Sequence, residues 1–415
     1  MNITCRSFCD STEREKNMKN FVFISPNFPE SYWKFCDALK NNGMRVLGIG
    51  DCPYEQLSQQ LRDSVHEYYK VSSLENDGEV FRAVAFFSYK YGKIDWLESN
   101  NEYWLMRDAW LRTEFNITTG PKSADMKKIK YKSEMKAYYK KAGLPVARYH
   151  LVEGYDDASE FAHTVGYPVV VKPDNGVGAN NTYRLSNDDE LHFFIDNKDD
   201  NLYIMEEFVN GYVQTYDAII DSHGKPLFES GNITPHSLMD VVNTGANSLY
   251  YLVKELPDKI RDAGLRTVEA FGVRSRFVHL EFFILYADQE GLGKKGDVIG
   301  LEVNMRPAGG YTPDMYNFAY ETDVYKIWAD MVAFDTNTKP EGKHHFCAFA
   351  GRRDGKNFIL DHNAVMSKYG PNMKMWGRIP DALSGAMANQ MYIAIFDTEE
   401  ELNTYFKDLL SCYDE

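Results

Sequence analysis

At 415 residues the chain exceeds what one hydrophobic core sustains, so two or three domains are expected. Its composition, 44% hydrophobic and 26% charged, is that of an ordinary globular protein. A formal net charge of −15 excludes a general nucleic-acid binder, because a polyanion would be repelled.

The opening stretch, MNITCRSFCDSTEREKNMKN, is polar and charged, so it reads as a flexible arm over 1–20 rather than a secretory signal. Six cysteines (Cys5, Cys9, Cys36, Cys52, Cys347 and Cys412) form no CxxC pair and no zinc-type spacing. Reduced thiols in a cytoplasmic protein follow. No apolar run approaches a membrane span, so no membrane partner is expected.

FVFIS predicts a strand, SPNFPESYWKFCDALKNNG a turn and an amphipathic helix closed by Gly43, and MRVLGIGD a second strand. That βαβ opening, continued by EYYKVSS, the helical EVFRAVAFFSYKYG and IDWLES, predicts a parallel sheet. The boundary falls near residue 118, at ITTGPKS. Residues 125–143 read as one basic helix ended by Gly143, most of its lysines facing solvent. From 145 the chain reads as α+β with mostly antiparallel strands: LPVARYHLV, YPVVVKP, TYRL, LYIMEEF, QTYDAIID, GKPLFES, RFVHLEFFILYA and DVIGLEVNM. The helix PDKIRDAGLRTVEAFG lies among them, and a small terminal lobe follows from about 340.

Three constellations carry chemistry. In LEVNMRPAGG, strand alternation puts Glu302, Asn304 and Arg306 on one face and Leu301, Val303 and Met305 on the other. RFVHLEFFIL puts His279 and Glu281 on one face, and a hairpin-like connection would bring Glu281 beside Glu302. Two carboxylates and an amide suit a hard cation such as Mg²⁺, which completes its shell with water and phosphate oxygens. Arg306 adds a fork for phosphate or carboxylate. Either acid alone is equally well a solvated charge on a half-exposed sheet.

The second constellation is VVVKPDNGVGANNT, where Lys172 ends a strand before a glycine turn. It is neither a Walker loop nor a GxGxxG fingerprint, which also removes an oxidoreductase reading of the opening βαβ unit. The third, IMEEFVNG, ends a strand in two acids before Phe208 and Val209. Alone, each of these two is an ordinary hairpin or strand end. His236, in the irregular NITPHSLMDVVNTG, is a candidate for a substrate pocket or a plain loop histidine.

In order, KSEMKAYYKKAGLPVA, YPVVVKPDNGVGANN, MEEFVNG, HLEFF and LEVNMRPAGG resemble the motifs of the ATP-grasp superfamily, carboxylate–amine ligase branch, over roughly residues 20–330. The resemblance implies a Rossmann-like pre-ATP-grasp domain (21–118), a lid subdomain (119–207), a catalytic subdomain (208–339) and a small C-terminal lobe (340–415). It implies that Lys132 and Lys172 contact ATP phosphates under a lid loop containing Gly176 and Gly178. Glu206, Glu207, Phe208 and Val209 would form the adenine hinge. Glu281, Glu302 and Asn304 would hold Mg²⁺ (or Mn²⁺). Arg306, with the turn Gly309–Gly310, would steady the transferring phosphoryl group. Two departures stand out. Val213 occupies the place of the ribose glutamate, with Gln214 as a substitute, and Asn180 and Asn181 stand where serine is usual.

The activity implied is ATP-dependent joining of a carboxylate, amino acids among the candidates, to an amine through an acyl phosphate. Alternatives within reach of the sequence are a non-amine acceptor, bicarbonate as the acid, or a nucleotide-binding module without turnover. A homodimer is common for such a resemblance.

Overall fold

The computed structural model describes residues 18–176, 181–235 and 246–413. Four parallel strands open the chain: β1 (Asn20–Ile24), β2 (Arg45–Gly50), β3 (Glu67–Lys70) and β4 (Trp96–Glu98), in the order β3-β2-β1-β4. Strand β1 is buried along its whole length because helices cover both faces, as its unbroken run FVFI requires. The helix Trp33–Asn41 covers one face and Asp77–Tyr91 the other. The strand ends carry Ser25, Ser99 and Asn100, and the turn that follows delivers Glu102.

A second sheet, four strands in the order β5-β8-β6-β7, comprises β5 (Tyr149–Val152), β6 (Val169–Pro173), β7 (Tyr183–Leu185) and β8 (Tyr203–Glu207). Helices Tyr155–Val165 and Asp188–Asn197 pack on it through Ala158, Ala162, Leu191 and Phe194. The turn containing Gly176 leaves from the end of β6; Gly178 lies outside the described residues.

The third sheet is large and antiparallel. It contains β9 (Gly211–Ile220), β10 (Pro226–Ser230), β11 (Asn232–Thr234), β12 (Ser248–Leu252), β13 (Arg276–Leu285), β14 (Val298–Asn304), β15 (Phe346–Arg352), β16 (Met373–Arg378) and β17 (Gln390–Phe396). Its main path runs β14-β13-β9-β11-β12-β15-β17-β16, with β10 on β9. The last three strands, within the stretch read from the sequence as a small terminal lobe, extend the same sheet. Helices Thr312–Tyr320 and Val324–Phe334 join the opening domain to this sheet: Trp328 packs on Phe21, Phe23 and Phe35, and Tyr316 on Phe228 and Phe277.

The expected basic helix is two helices, Lys127–Lys130 and Lys132–Lys141, broken at Tyr131, whose ψ of 118° is extended. Asp174, in the turn after β6, accepts from the backbone N–H groups of Lys132 and Ser133, so the second helix begins where that turn docks. The second helix packs on the large sheet, against β14. Of the seven lysines over 125–143, Lys127, Lys140 and Lys141 are exposed and Lys128 is half-buried, but Lys130, Lys132 and Lys136 are buried.

Candidate active site

Strands β13 and β14 pair antiparallel, with His279 opposite Asn304 and Glu281 opposite Glu302. The register shifts between Glu281 and Phe282, which leaves Leu301 as an extra residue and ends the polar row there. Val303 and Met305 turn into the core on the opposite face. Tyr139 braces both strands from that side, its hydroxyl 2.8 Å from the Glu302 carbonyl and 3.3 Å from the Glu281 carbonyl. Gly300 makes room for the ring: a Cβ there would lie 2.5 Å from Tyr139 Cγ.

On the polar face, Asn304 Nδ2 donates to Glu281 Oε1 at 3.3 Å, and His279 Nε2 lies 3.2 Å from the same oxygen. Glu302 Oε1 lies 3.2 Å from Lys132 Nζ. Arg306 Nη2 reaches Glu102 Oε2 at 2.5 Å and Asn304 Oδ1 at 3.4 Å. Among the described residues no group of three or more His, Cys, Asp or Glu is arranged to hold a metal. Two facing carboxylates with an adjacent amide are the smaller oxygen set that suits Mg²⁺, whose remaining positions go to water and phosphate.

Beside this row lies a second cluster. Glu206, buried at the end of β8, takes two ammonium groups: Lys136 Nζ at 2.6 Å and Lys172 Nζ at 2.8 Å. Lys132 Nζ also donates to the Gly176 carbonyl at 3.1 Å, which ties the β6 turn to the carboxylate row. Lys132, Lys172, Gly176, Glu206, Glu281, Glu302, Asn304 and Arg306 thus meet in one cleft. Glu207 does not join them; it turns away to a two-nitrogen contact with Arg148, at 2.7 and 3.0 Å. The Phe208 ring carries Arg184 at 4.6 Å, and Val209 packs with Ala147, Leu285, Leu292 and Ile299. Gly310 has φ +61°, and a Cβ there would meet Met387 at 2.6 Å, so the Gly309–Gly310 turn lies under the end of helix Asp381–Met387. His236 lies outside the described residues.

Val213 pairs with Phe283 on β13 and shares a face with Thr215 and Asp217. Gln214 points to the opposite face, where it is buried, so it cannot stand in for the missing ribose ligand.

Several site residues went unnoticed in the sequence. Lys136 lies one helical turn from Lys132, a spacing that places both on one face. Asp217 is a fully buried acid whose Oδ1 lies 2.5 Å from His279 Nδ1, and its alternation with Thr215 and Val213 was readable. Glu102 comes from the opening domain, with Lys130 at 3.2 Å, and nothing local signals it.

The ionisation states follow from these contacts. Burial would raise the Glu206 carboxyl, but Lys136 and Lys172 outweigh it and hold it at about 2. Burial likewise opposes ionisation of Glu102, yet Arg306 and Lys130 keep it at about 2. Burial lowers the Lys136 ammonium, with only partial support from Glu206. His279 is buried, but Asp217 and Glu281 raise its imidazole to about 9. The cleft is therefore an alternating lattice of charges, each cation facing an anion.

Residues 131–275 match the family model described as carbamoyl-phosphate synthase L chain, ATP binding domain. The structure superposes on an L-amino acid ligase from Bacillus licheniformis with a TM-score of 0.68, at 14% identity, covering 94% of this chain and 96% of that one. The chain carries the ATP-grasp fold. At sequence level the chain is 28% identical to an L-arginine-specific L-amino acid ligase of Bacillus subtilis over 167 residues, 40% of this chain and 39% of the relative. It is also 28% identical to the N-terminal section of the carbamoyl phosphate synthase large chain of Methanopyrus kandleri over 152 residues, 34% of this chain and 26% of the relative. The chain thus spans well under half the length of these two curated relatives. The matched segment includes Lys132, Lys172 and Glu206 but ends before Glu281. No helix among the described residues is long and apolar enough to cross a membrane.

Proposed function

We propose that the protein is an ATP-dependent ligase that activates a carboxylate as an acyl phosphate and transfers the acyl group to an amine. One observation carries the reading: Glu281 faces Glu302 across β13 and β14, and Lys132 and Arg306 stand beside that pair. Such a set is wasteful in a structural sheet, because buried charges are costly unless paired. It is apt where triphosphate oxygens and a divalent cation arrive together.

The roles follow from position. Lys132 and Lys172 neutralise phosphate oxygens as the glycine turn at 176 folds over them. The backbone from Glu206 to Val209 borders the adenine, since the two glutamate side chains are already engaged by lysine and arginine. Glu281, Glu302 and Asn304 would hold Mg²⁺, which would supply positive charge to offset that developing during transfer. Arg306 exchanges part of its contact with Glu102 for the transferring phosphoryl group.

A substrate carboxylate oxygen attacks the γ-phosphorus and ADP leaves. The amine then attacks the acyl carbon, and phosphate departs with the carboxylate oxygen. Positioning and charge neutralisation, rather than covalent participation by the protein, supply the catalysis.

The Bacillus subtilis relative is named an L-arginine-specific L-amino acid ligase, which supports amino acids as substrates here. The protein would work in the cytoplasm, as a homodimer. The test is ADP release from MgATP with pooled carboxylates, bicarbonate and amines, with Glu302→Ala as control. ADP that requires both an acid and an amine, and is lost in the variant, supports the ligase. Nucleotide binding with no stimulation by any pool favours a binding module without turnover.

A further inference from the structure

Asp217 is a fully buried carboxylate on β9, two strands away from β14, and phosphate chemistry gives it no obvious task. Both of its oxygens are nevertheless used. Oδ2 accepts from the Thr215 hydroxyl at 2.6 Å, and that hydroxyl in turn accepts from the Asn232 backbone N–H at 2.9 Å. Oδ1 meets His279 Nδ1 at 2.5 Å. The other ring nitrogen, Nε2, lies 3.2 Å from Glu281 Oε1, and Asn304 Nδ2 approaches the same oxygen at 3.3 Å. The pairings Asp217–His279 and His279–Asn304 are direct cross-strand neighbours, so the row is fixed by sheet register rather than by a mobile loop.

We propose that Asp217 and His279 are positioning residues that aim the Glu281 carboxylate at the divalent cation, an inference that rests on the ligase site described above. A carboxylate free to rotate offers its lone pairs in many directions. Here His279 and Asn304 both engage Oε1, which restricts rotation of the carboxylate and leaves Oε2 for the cation. His279 is in turn fixed because Asp217 binds its far nitrogen, and Thr215 fixes Asp217. The device is a metal ligand oriented through an imidazole anchored by a buried acid, the arrangement by which outer residues tune metal sites. Neither Asp217 nor His279 is among the residues assigned to the nucleotide, so the device should act on cation affinity and leave cation-free binding of nucleotide alone.

The experiment measures ADP binding by calorimetry to the whole chain, with and without Mg²⁺, for the wild type, His279→Gln and Asp217→Asn. Mn²⁺ binding in the presence of ADP is followed in parallel by electron paramagnetic resonance. His279 borders the cleft, so its variant should fold even if a change at the fully buried Asp217 does not. The expected result is an apparent affinity for Mg²⁺ and Mn²⁺ about 10- to 100-fold weaker in the variants. Cation-free ADP affinity should stay within about twofold, with His279→Gln folded at the assay temperature although its melting temperature falls, since the buried Asp217 loses its cation. Unchanged cation dependence in a folded His279→Gln overturns the proposal, as does an equal loss of ADP affinity with and without cation. If the wild type itself binds no nucleotide, the ligase reading fails first, and that outcome is separable from these.

Discussion

Glu206→Gln should be among the most damaging single changes that leave the chain's shape intact. The carboxylate is buried beneath two ammonium groups, at 2.6 and 2.8 Å, and the amide removes the only charge shared between them. The interaction can be sized from ionisation. Holding a glutamate at about 2 instead of the usual 4.5 corresponds to about 3 kcal/mol in favour of its charged form. Breaking a buried pair from one side is put at about 3–5 kcal/mol by other systems, in agreement. Lys136, whose charge burial already disfavours, would lose its main support. The assay is thermal unfolding, with an expected drop of about 5–10 °C at pH 7 for a loss of this size in a large chain. The pH dependence has a definite sign. Because the folded carboxyl is depressed, its stabilisation is complete above about 4.5 and is lost as pH falls from there toward 2. The gap between wild type and variant should therefore be flat from pH 6 to 8 and narrow below 4.5. A midpoint within 1 °C of wild type at pH 7, or a gap that widens in acid, would refute the reasoning.

Three other changes are informative. Asp108 is pushed up to about 7 by burial and by the Glu98 charge, and Glu98 Oε1 and Asp108 Oδ1 are buried without a hydrogen-bond partner unless a proton is shared between the two acids. Asp108→Asn keeps a donor without needing a proton, so thermal melts should show its advantage over wild type growing as pH rises from about 4 to about 7 and staying constant above 7, while Asp108→Ala loses about 1–3 kcal/mol. Gly300→Ala drives a methyl into the Tyr139 ring and should cost about 1–3 kcal/mol in denaturant titration, with weaker Mg²⁺-dependent ADP binding because Tyr139 braces both carboxylate strands. Arg306→Lys replaces a fork held by Glu102 and Asn304 with a point charge, and steady-state kinetics should show kcat reduced by about 10²-fold with little change in ADP affinity.

The sequence was most legible where chemistry sits on a regular element. Alternation along β13 and β14 brought Glu281, Glu302 and Asn304 onto one face before any pairing was known, and the pairing is the one that hairpin-like connectivity suggests. The buried lysines Lys130 and Lys136 were not picked out, because a helical stretch crowded with lysine looks solvated. Only the second helix's docking on the large sheet, and Glu206 arriving from β8, make Lys136 a buried charge. Glu102 and Glu98 belong to contacts between distant parts of the chain. Glu98 bridges Arg112 and Arg276 at 2.8 Å each, a link across 178 residues that no local pattern encodes. That the small terminal lobe continues the large sheet was not legible, because β12, which joins its strands to the rest, carries the weak pattern SLYYL after an irregular stretch.

Once the acid and amine are named by the ADP-release screen, one measurement tests the central claim most directly. The carboxylate is supplied with both oxygens labelled as ¹⁸O, and the phosphate released on ligation is analysed by mass spectrometry. An acyl phosphate transfers one labelled oxygen to every phosphate formed. Phosphate without label, in a reaction that still makes the amide and ADP, would contradict activation of the carboxylate by phosphoryl transfer and with it the roles given to Glu281, Glu302 and Arg306.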